Sequence, residues 1–244
     1  MSNIIALDPV QHQSVCISEQ QAIIFAAKQH LINLRVTEIA QLACDLPIFL
    51  SKTPYGQWAI SALCSVQVEN NLWVEQHHWL ATYAPMALQT YPLCLMPGSE
   101  NGVSQVGIFK HELNLTQGAA LFDEAAQPTT ELKRKTQLLE TDLQQEYLTH
   151  QFCKVLESLK LIQPIELILN SSTEEQRIHG LFTINEDRLQ QLTAEELYSL
   201  QQQGMLVPVH VMLTSILQLN KLINKHNKKH PSFMIKNIKL AINK

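Results

Sequence analysis

Short apolar runs bounded by turn residues mark the strands along this chain. IFLSK at 48–52 and WAISALCSVQV at 58–68 flank Pro54-Tyr55-Gly56-Gln57, which predicts a hairpin. Asn70-Asn71 followed by LWVEQ predicts a third antiparallel strand in sequence. LCLMP, closed by Pro97-Gly98, and VSQVGIFK add two more. PIELILN and RIHGLFTI, joined by the polar SSTEE, predict a later hairpin. Apolar residues recur at helical spacing from Thr129 or Thr130 onward, through Leu132, Leu139, Leu143, Tyr147, Phe152 and Leu156, so one long helix is expected to end before Pro164. Ser18-Glu19-Gln20-Gln21 and Thr193-Ala194-Glu195-Glu196 have the form of capping boxes, and Gly204 is a natural helix stop. Thr37 is expected to cap a short helix, EIAQLAC, that ends near Pro47. Val209, Met212, Leu213, Ile216, Leu219 and Ile223 predict a final amphipathic helix. Strands clustered early, one long helix, a late hairpin and terminal helices make an α+β fold.

Composition narrows the class. The chain has 244 residues, 45% of them hydrophobic, with only 7 glycines, which fits an ordinary globular protein. An unbroken apolar run of about 18 residues is missing, so no transmembrane helix is expected. The N-terminus lacks a basic stretch followed by an apolar core, so no export signal is expected and the location is read as cytoplasmic. Cys16, Cys44, Cys64, Cys94 and Cys153 are odd in number and widely spaced, and they are expected to be small buried hydrophobes in a reducing compartment. Charge is uneven. Residues 221–244 hold seven of the 18 basic residues and no acid, so residues 1–220 carry 11 basic against 22 acidic residues, a net charge of −11 against −4 overall. The tail, with Met234, Ile235, Ile238 and Ile242 on one helical face and Ile238, Leu240 and Ile242 in alternation, reads as helix or strand. It suits an acidic partner, an anionic surface or the chain's own acidic body, and the acidity of the rest argues against nucleic acid.

The usual signatures of chemistry are missing: no glycine-rich nucleotide loop, no G-x-S-x-G elbow and no H-E-x-x-H. No cofactor or metal is expected. His226 and His230 stand four apart, which places two imidazoles on one helix face, but lysines lie between them and oppose a cation. His77-His78 read as polar turn residues. Trp58, Trp73, Trp79, Tyr83 and Tyr91 crowd into 34 residues, as an aromatic platform for a sugar or partner would, or as the core of a small sheet. Asp123, beside Glu124 in a loop before the long helix, could do acid–base work or simply be solvated. His210, just after Pro208, is a base or a hydrogen-bonded, half-buried histidine.

The ordered series NIIALDPVQHQ, LRVTEIAQLACDLPIFLSK, NNLWVEQHHWLATYAPMALQTYPLCL, GAALFDEAAQPTTELKRKTQLLETDL, HGLFTINEDRLQQL and LQQQGMLVPVHVMLTSILQLNKLI resembles the SapC family. These are bacterial proteins of about this length, named after a surface-layer gene cluster. The family's Tyr-x-Pro and Tyr-Pro elements match Tyr83-Ala84-Pro85 and Tyr91-Pro92, and its Leu-Phe-Asp loop and Pro-Thr match Leu121-Phe122-Asp123 and Pro128-Thr129. Where the family tends to have an Asp-Gly turn before the tryptophan, this chain has His77-His78 before Trp79. The resemblance covers about residues 3–228, implying a single domain over residues 1–228, and leaves 229–244 as a basic tail outside it. It implies an accessory or interaction protein in surface-layer or cell-surface protein handling and carries no established reaction. Its partner would be a surface or outer-membrane protein or a co-encoded modifying enzyme, with a homo-oligomer left open. Trp79, Tyr83, Tyr91, Asp123 and His210 are the residues expected to meet it. The alternative is an enzyme of unfamiliar type, or a peptide or carbohydrate binder using the Trp73–Tyr91 region.

Overall fold

The structure, a computed structural model, describes residues 3–97, 104–113, 117–171 and 175–242. Along the chain run β1 (Ile4–Ala6), β2 (Cys16–Ile17), α1 (Glu19–Ala27), β3 (Leu31–Leu34), α2 (Ile39–Leu42), β4 (Ile48–Lys52), β5 (Trp58–Leu63), β6 (Val74–Glu75), β7 (His78–Trp79) and α3 (Met86–Thr90). Then follow β8 (Leu93–Met96), β9 (Gln105–Phe109), β10 (Ala119–Ala120), α4 (Thr130–Ser158), β11 (Ile162–Asn170) and β12 (Glu175–Ile184). The chain ends with α5 (Glu186–Gln190), α6 (Ala194–Gln202), α7 (Leu206–Ser215), α8 (Leu219–Lys229) and β13 (Asn237–Ile242). The fold is mixed α+β, with every strand pair antiparallel.

The chain divides into two compact units, each built from two stretches of sequence. The first comprises Met1–Ala26 and Met86–Gln145. Its three-stranded sheet has the order β1-β9-β8, and a two-residue ladder joins β2 to β10. Val15, Ile17, Leu93, Ile108, Leu121 and Leu132 form its core. At the head of α1 the Ser18 N–H donates to Gln21 Oε1 at 2.7 Å, one half of the box expected there.

The second unit comprises Ala27–Pro85 and Glu146–Lys244. Its six-stranded sheet runs β13-β11-β12-β4-β5-β3. The β4–β5 hairpin turns where the proline–glycine segment placed it, with Gly56 at φ 76°. Ile48, Phe49 and Leu50 of β4 are all fully buried, so this strand is covered on both faces. Thr193 caps α6 in a complete box with Glu196, and Gly204 follows at φ 67°.

Several expectations are corrected. LWVEQ supplies only β6, which pairs with β7 and not with the main sheet. The helix expected from Thr37 is a 3-10 turn at Val36–Glu38 running into α2, and its start is set by Arg35, whose N–H donates to Glu38 Oε2 at 2.7 Å. The final helix is interrupted at Ile216–Gln218 by a 3-10 turn. Even so, Leu206–Lys229 forms one helical stretch whose most apolar window has a mean hydropathy of 1.4, enough by length and composition to cross a membrane. Such an average tolerates the isolated His210, Thr214 and Ser215 that break an unbroken run. The stretch places Val209, Met212 and Leu222 in the core of the second unit. Of the five free cysteines only Cys64 and Cys153 are buried, and Cys44 is exposed. The tail resolves as strand, because Ile238, Leu240 and Ile242 register with Leu169, Leu167 and Ile165. Gly98, Val103, most of the SSTEE turn and residues 243–244 lie outside the described residues.

Candidate functional site

In the first unit a groove of about 730 Å³ runs beside the first turns of α4. Leu7, Val106, Phe122 and Leu132 line it with apolar surface, and Gln127, Lys133 and Gln137 add amides and a cation. Its lip is the loop 121–129, which is built around Asp123. Asp123 Oδ1 accepts the N–H groups of Ala125 at 2.9 Å and Gln127 at 2.8 Å. The Asp123 N–H donates to the Gln127 carbonyl at 2.9 Å, and Gln13 Nε2 donates to the carbonyls of Asp123 and Glu124. Thr129 Oγ1 closes the base of the loop on the Ala120 carbonyl at 2.8 Å. These bonds hold Ala126 at φ 58°, a conformation that a non-glycine residue adopts only when its surroundings require it. The lip is therefore formed before anything binds, which lowers the ordering cost of binding. Asp123, though exposed, spends its carboxylate on backbone and acts as a positioning residue.

Tyr91 lies in the same unit but in a different cluster. Its ring stacks on Phe25 at 4.4 Å and on Phe109 at 5.6 Å. Its hydroxyl donates to Glu112 Oε1 at 2.6 Å and meets His111 Nε2 at 3.0 Å. Gln21, itself buried, donates to the other Glu112 oxygen at 3.0 Å. Burial, with the neighbouring Glu112 carboxylate, pushes the Tyr91 phenol well above its ordinary range, so it stays a neutral donor. Lys135 reaches the carbonyls of Gln89 and Tyr91 from α4, and burial lowers its pKa. The set fixes the phenol as a hydrogen-bond donor, and the Tyr91 residue is only 4% exposed.

The other named residues lie in the second unit. Trp79 Nε1 donates to the Tyr83 carbonyl at 2.8 Å, so these two are brought together, both half-buried. Trp73 is fully buried and belongs to the core. His210 is hydrogen-bonded as expected, Nδ1 to the Leu206 carbonyl at 2.8 Å, but it is exposed and not half-buried, because its position faces away from the Val209 side of α7. This unit has its own apolar groove of about 360 Å³, where Val36, Ala40 and Leu148 meet Phe152 and Pro208.

Residues 7–222 match the SapC family model. The chain belongs to the SapC family. No curated protein and no solved structure matches it. Two of the SapC landmarks in the sequence, Tyr91-Pro92 and Leu121-Phe122-Asp123, fall in the first unit, one in the aromatic stack and one in the lip of the groove. Sequence reasoning missed His111 and Glu112, which lie just past β9 in a 3-10 turn at Lys110–Glu112. It also missed Gln13, whose role depends on a contact 110 residues away.

Proposed function

We propose that this SapC-family chain is an accessory interaction protein that works in the cytoplasm on surface-layer or cell-surface proteins, holding an extended segment of such a partner in the groove beside α4. The observation that carries this reading is the preformed groove itself. Its floor is apolar, its rim offers the amides of Gln127 and Gln137, and its lip is fixed by Asp123. An extended peptide presents side chains to an apolar floor and backbone groups to amides, which can both donate and accept. The family name supports the surface-protein class of partner. The Tyr91 set supports the enzyme reading less well, since its phenol faces protein on both sides of the ring.

The test is site-specific photocrosslinking in the organism that carries the gene. A photoreactive residue is placed at Gln137, on the rim, or at Glu195, exposed on α6. The reading expects a product from position 137 that contains a surface protein and that weakens in a Lys133→Glu background. Equal products from both positions, or none beyond the chain itself, would overturn it.

A further inference from the structure

The two histidines that close α8 carry an inference independent of the groove. His226 is 3% exposed, and its Nε2 lies 3.1 Å from the Phe233 carbonyl oxygen. A carbonyl only accepts, so Nε2 bears the ring proton and Nδ1 holds a lone pair. That Nδ1 is buried and has no hydrogen-bond partner. One helical turn on, His230 Nε2 is likewise buried and unpartnered. The ring centroids are 4.9 Å apart, with the planes tilted by 39°, and the His230 N–H donates to the His226 carbonyl at 2.8 Å. An unpaired buried polar atom is costly, and here two stand on adjoining rings without bonding each other. One small occupant between the rings would satisfy both.

We propose that His226 and His230 form a two-imidazole site for a late first-row divalent cation such as Zn²⁺, bound through His226 Nδ1 and His230 Nε2. Imidazole is the side chain of choice for this class of cation. Histidines that ligate metals commonly donate the other ring N–H to a backbone carbonyl, the service Phe233 performs here. A cavity of about 80 Å³, lined partly by Gln67, Ser171 and Gln176, adjoins His226 and its carbonyl partner Phe233. Of the two lysines between the histidines, Lys229 reaches Asn70 Oδ1 at 3.4 Å and Lys228 is exposed to solvent, where its charge is screened. Just upstream, Lys221 pairs with Asp45 at 2.5 Å and Lys225 lies over the Trp73 ring at 5.4 Å. Among the described residues no cluster of three or more acids, histidines or cysteines forms, so the site is weaker than a three- or four-ligand one.

The experiment titrates Zn²⁺ into the full chain at pH 7.5 against a chromophoric chelator, alongside His226→Gln, His230→Gln and a His77→Ala/His78→Ala control. Hydrogen exchange is followed over 226–242. The proposal expects one site in the wild type and the control, at least tenfold weaker binding in each single variant, and Zn²⁺-dependent protection of the tail in the wild type and the control but in neither single variant. If His226→Gln fails to fold, His230→Gln decides. Wild-type binding no tighter than in His230→Gln, or loss of binding in the His77/His78 control, would overturn the assignment.

Discussion

Asp45 is a carboxylate whose partners come from far along the chain. Its Oδ2 accepts the Thr82 N–H at 2.7 Å, and its Oδ1 lies 2.5 Å from Lys221 Nζ. Burial alone would raise its pKa, but the bonds from Lys221 and Thr82 outweigh burial and hold the carboxyl below its ordinary value of 3.8. A group depressed in this way stabilises the fold above its unfolded pKa, and that contribution is lost as pH falls through the folded value. Asp45→Asn should therefore cost about 1–3 kcal/mol at pH 7. The gap between variant and wild type in denaturant should narrow toward pH 3, and a gap that ignores pH would show that charge is not what matters. At the β6–β7 turn Gln76 and His77 both have positive φ, 45° and 64°, as a two-residue hairpin demands. A glycine at position 77, which has no Cβ, would remove that strain. His77→Gly should raise thermal stability, by about 1 kcal/mol. An unchanged or lowered midpoint would mean that His77 makes a compensating contact.

At the scale of elements, the lip of the groove depends on one acceptor atom. Asp123→Ala removes both side-chain bonds to backbone N–H groups, whereas Asp123→Asn keeps an oxygen in place. The alanine variant should lose about 1–2 kcal/mol and show faster amide exchange at Ala125 and Gln127, while the asparagine variant stays near wild type. If the two behave alike, the carboxylate has a role beyond holding the loop. The long helix shows both what sequence periodicity conveys and where it fails. It starts at Thr130, one of the two starts expected, and ends at Ser158, ahead of Pro164, which lies inside β11. Its apolar stripe does not stay buried: Tyr147 is 64% exposed and Leu143 49%. Periodicity reports which residues share a helix face, but not whether a neighbouring element covers that face. Here the exposed stretch lies where the helix passes from one unit's sequence to the other's.

For the whole molecule, the character of the β4–β5 and β11–β12 hairpins and of α4 was legible, because it depends on near neighbours. The interleaving of the two units and the sheet order were not, since they depend on pairings between distant stretches. The basic tail illustrates this. Its alternation was visible, but only the partner strand selects strand over helix, and Leu167 and Leu169, fully or almost fully buried, set the register. As β13 it covers an apolar edge and presents Lys236 and Lys239 at the new one, where charge discourages further pairing. Ending the chain at Ile235 keeps that residue's bonds to Asn227 and uncovers the β11 edge. Half-buried Ile238 and Leu240 are lost as well, for a destabilisation of roughly 2–3 kcal/mol. The shortened chain should have a lower melting temperature and a mass by light scattering that rises with concentration. A full-length Lys236→Glu/Lys239→Glu variant separates charge from edge cover. It shifts the net charge by −4, against −3 for the truncation, but keeps the strand, so it should stay at wild-type mass. Association in that variant, or a truncated chain as stable and as small as the wild type, would show that β13 does not guard the sheet.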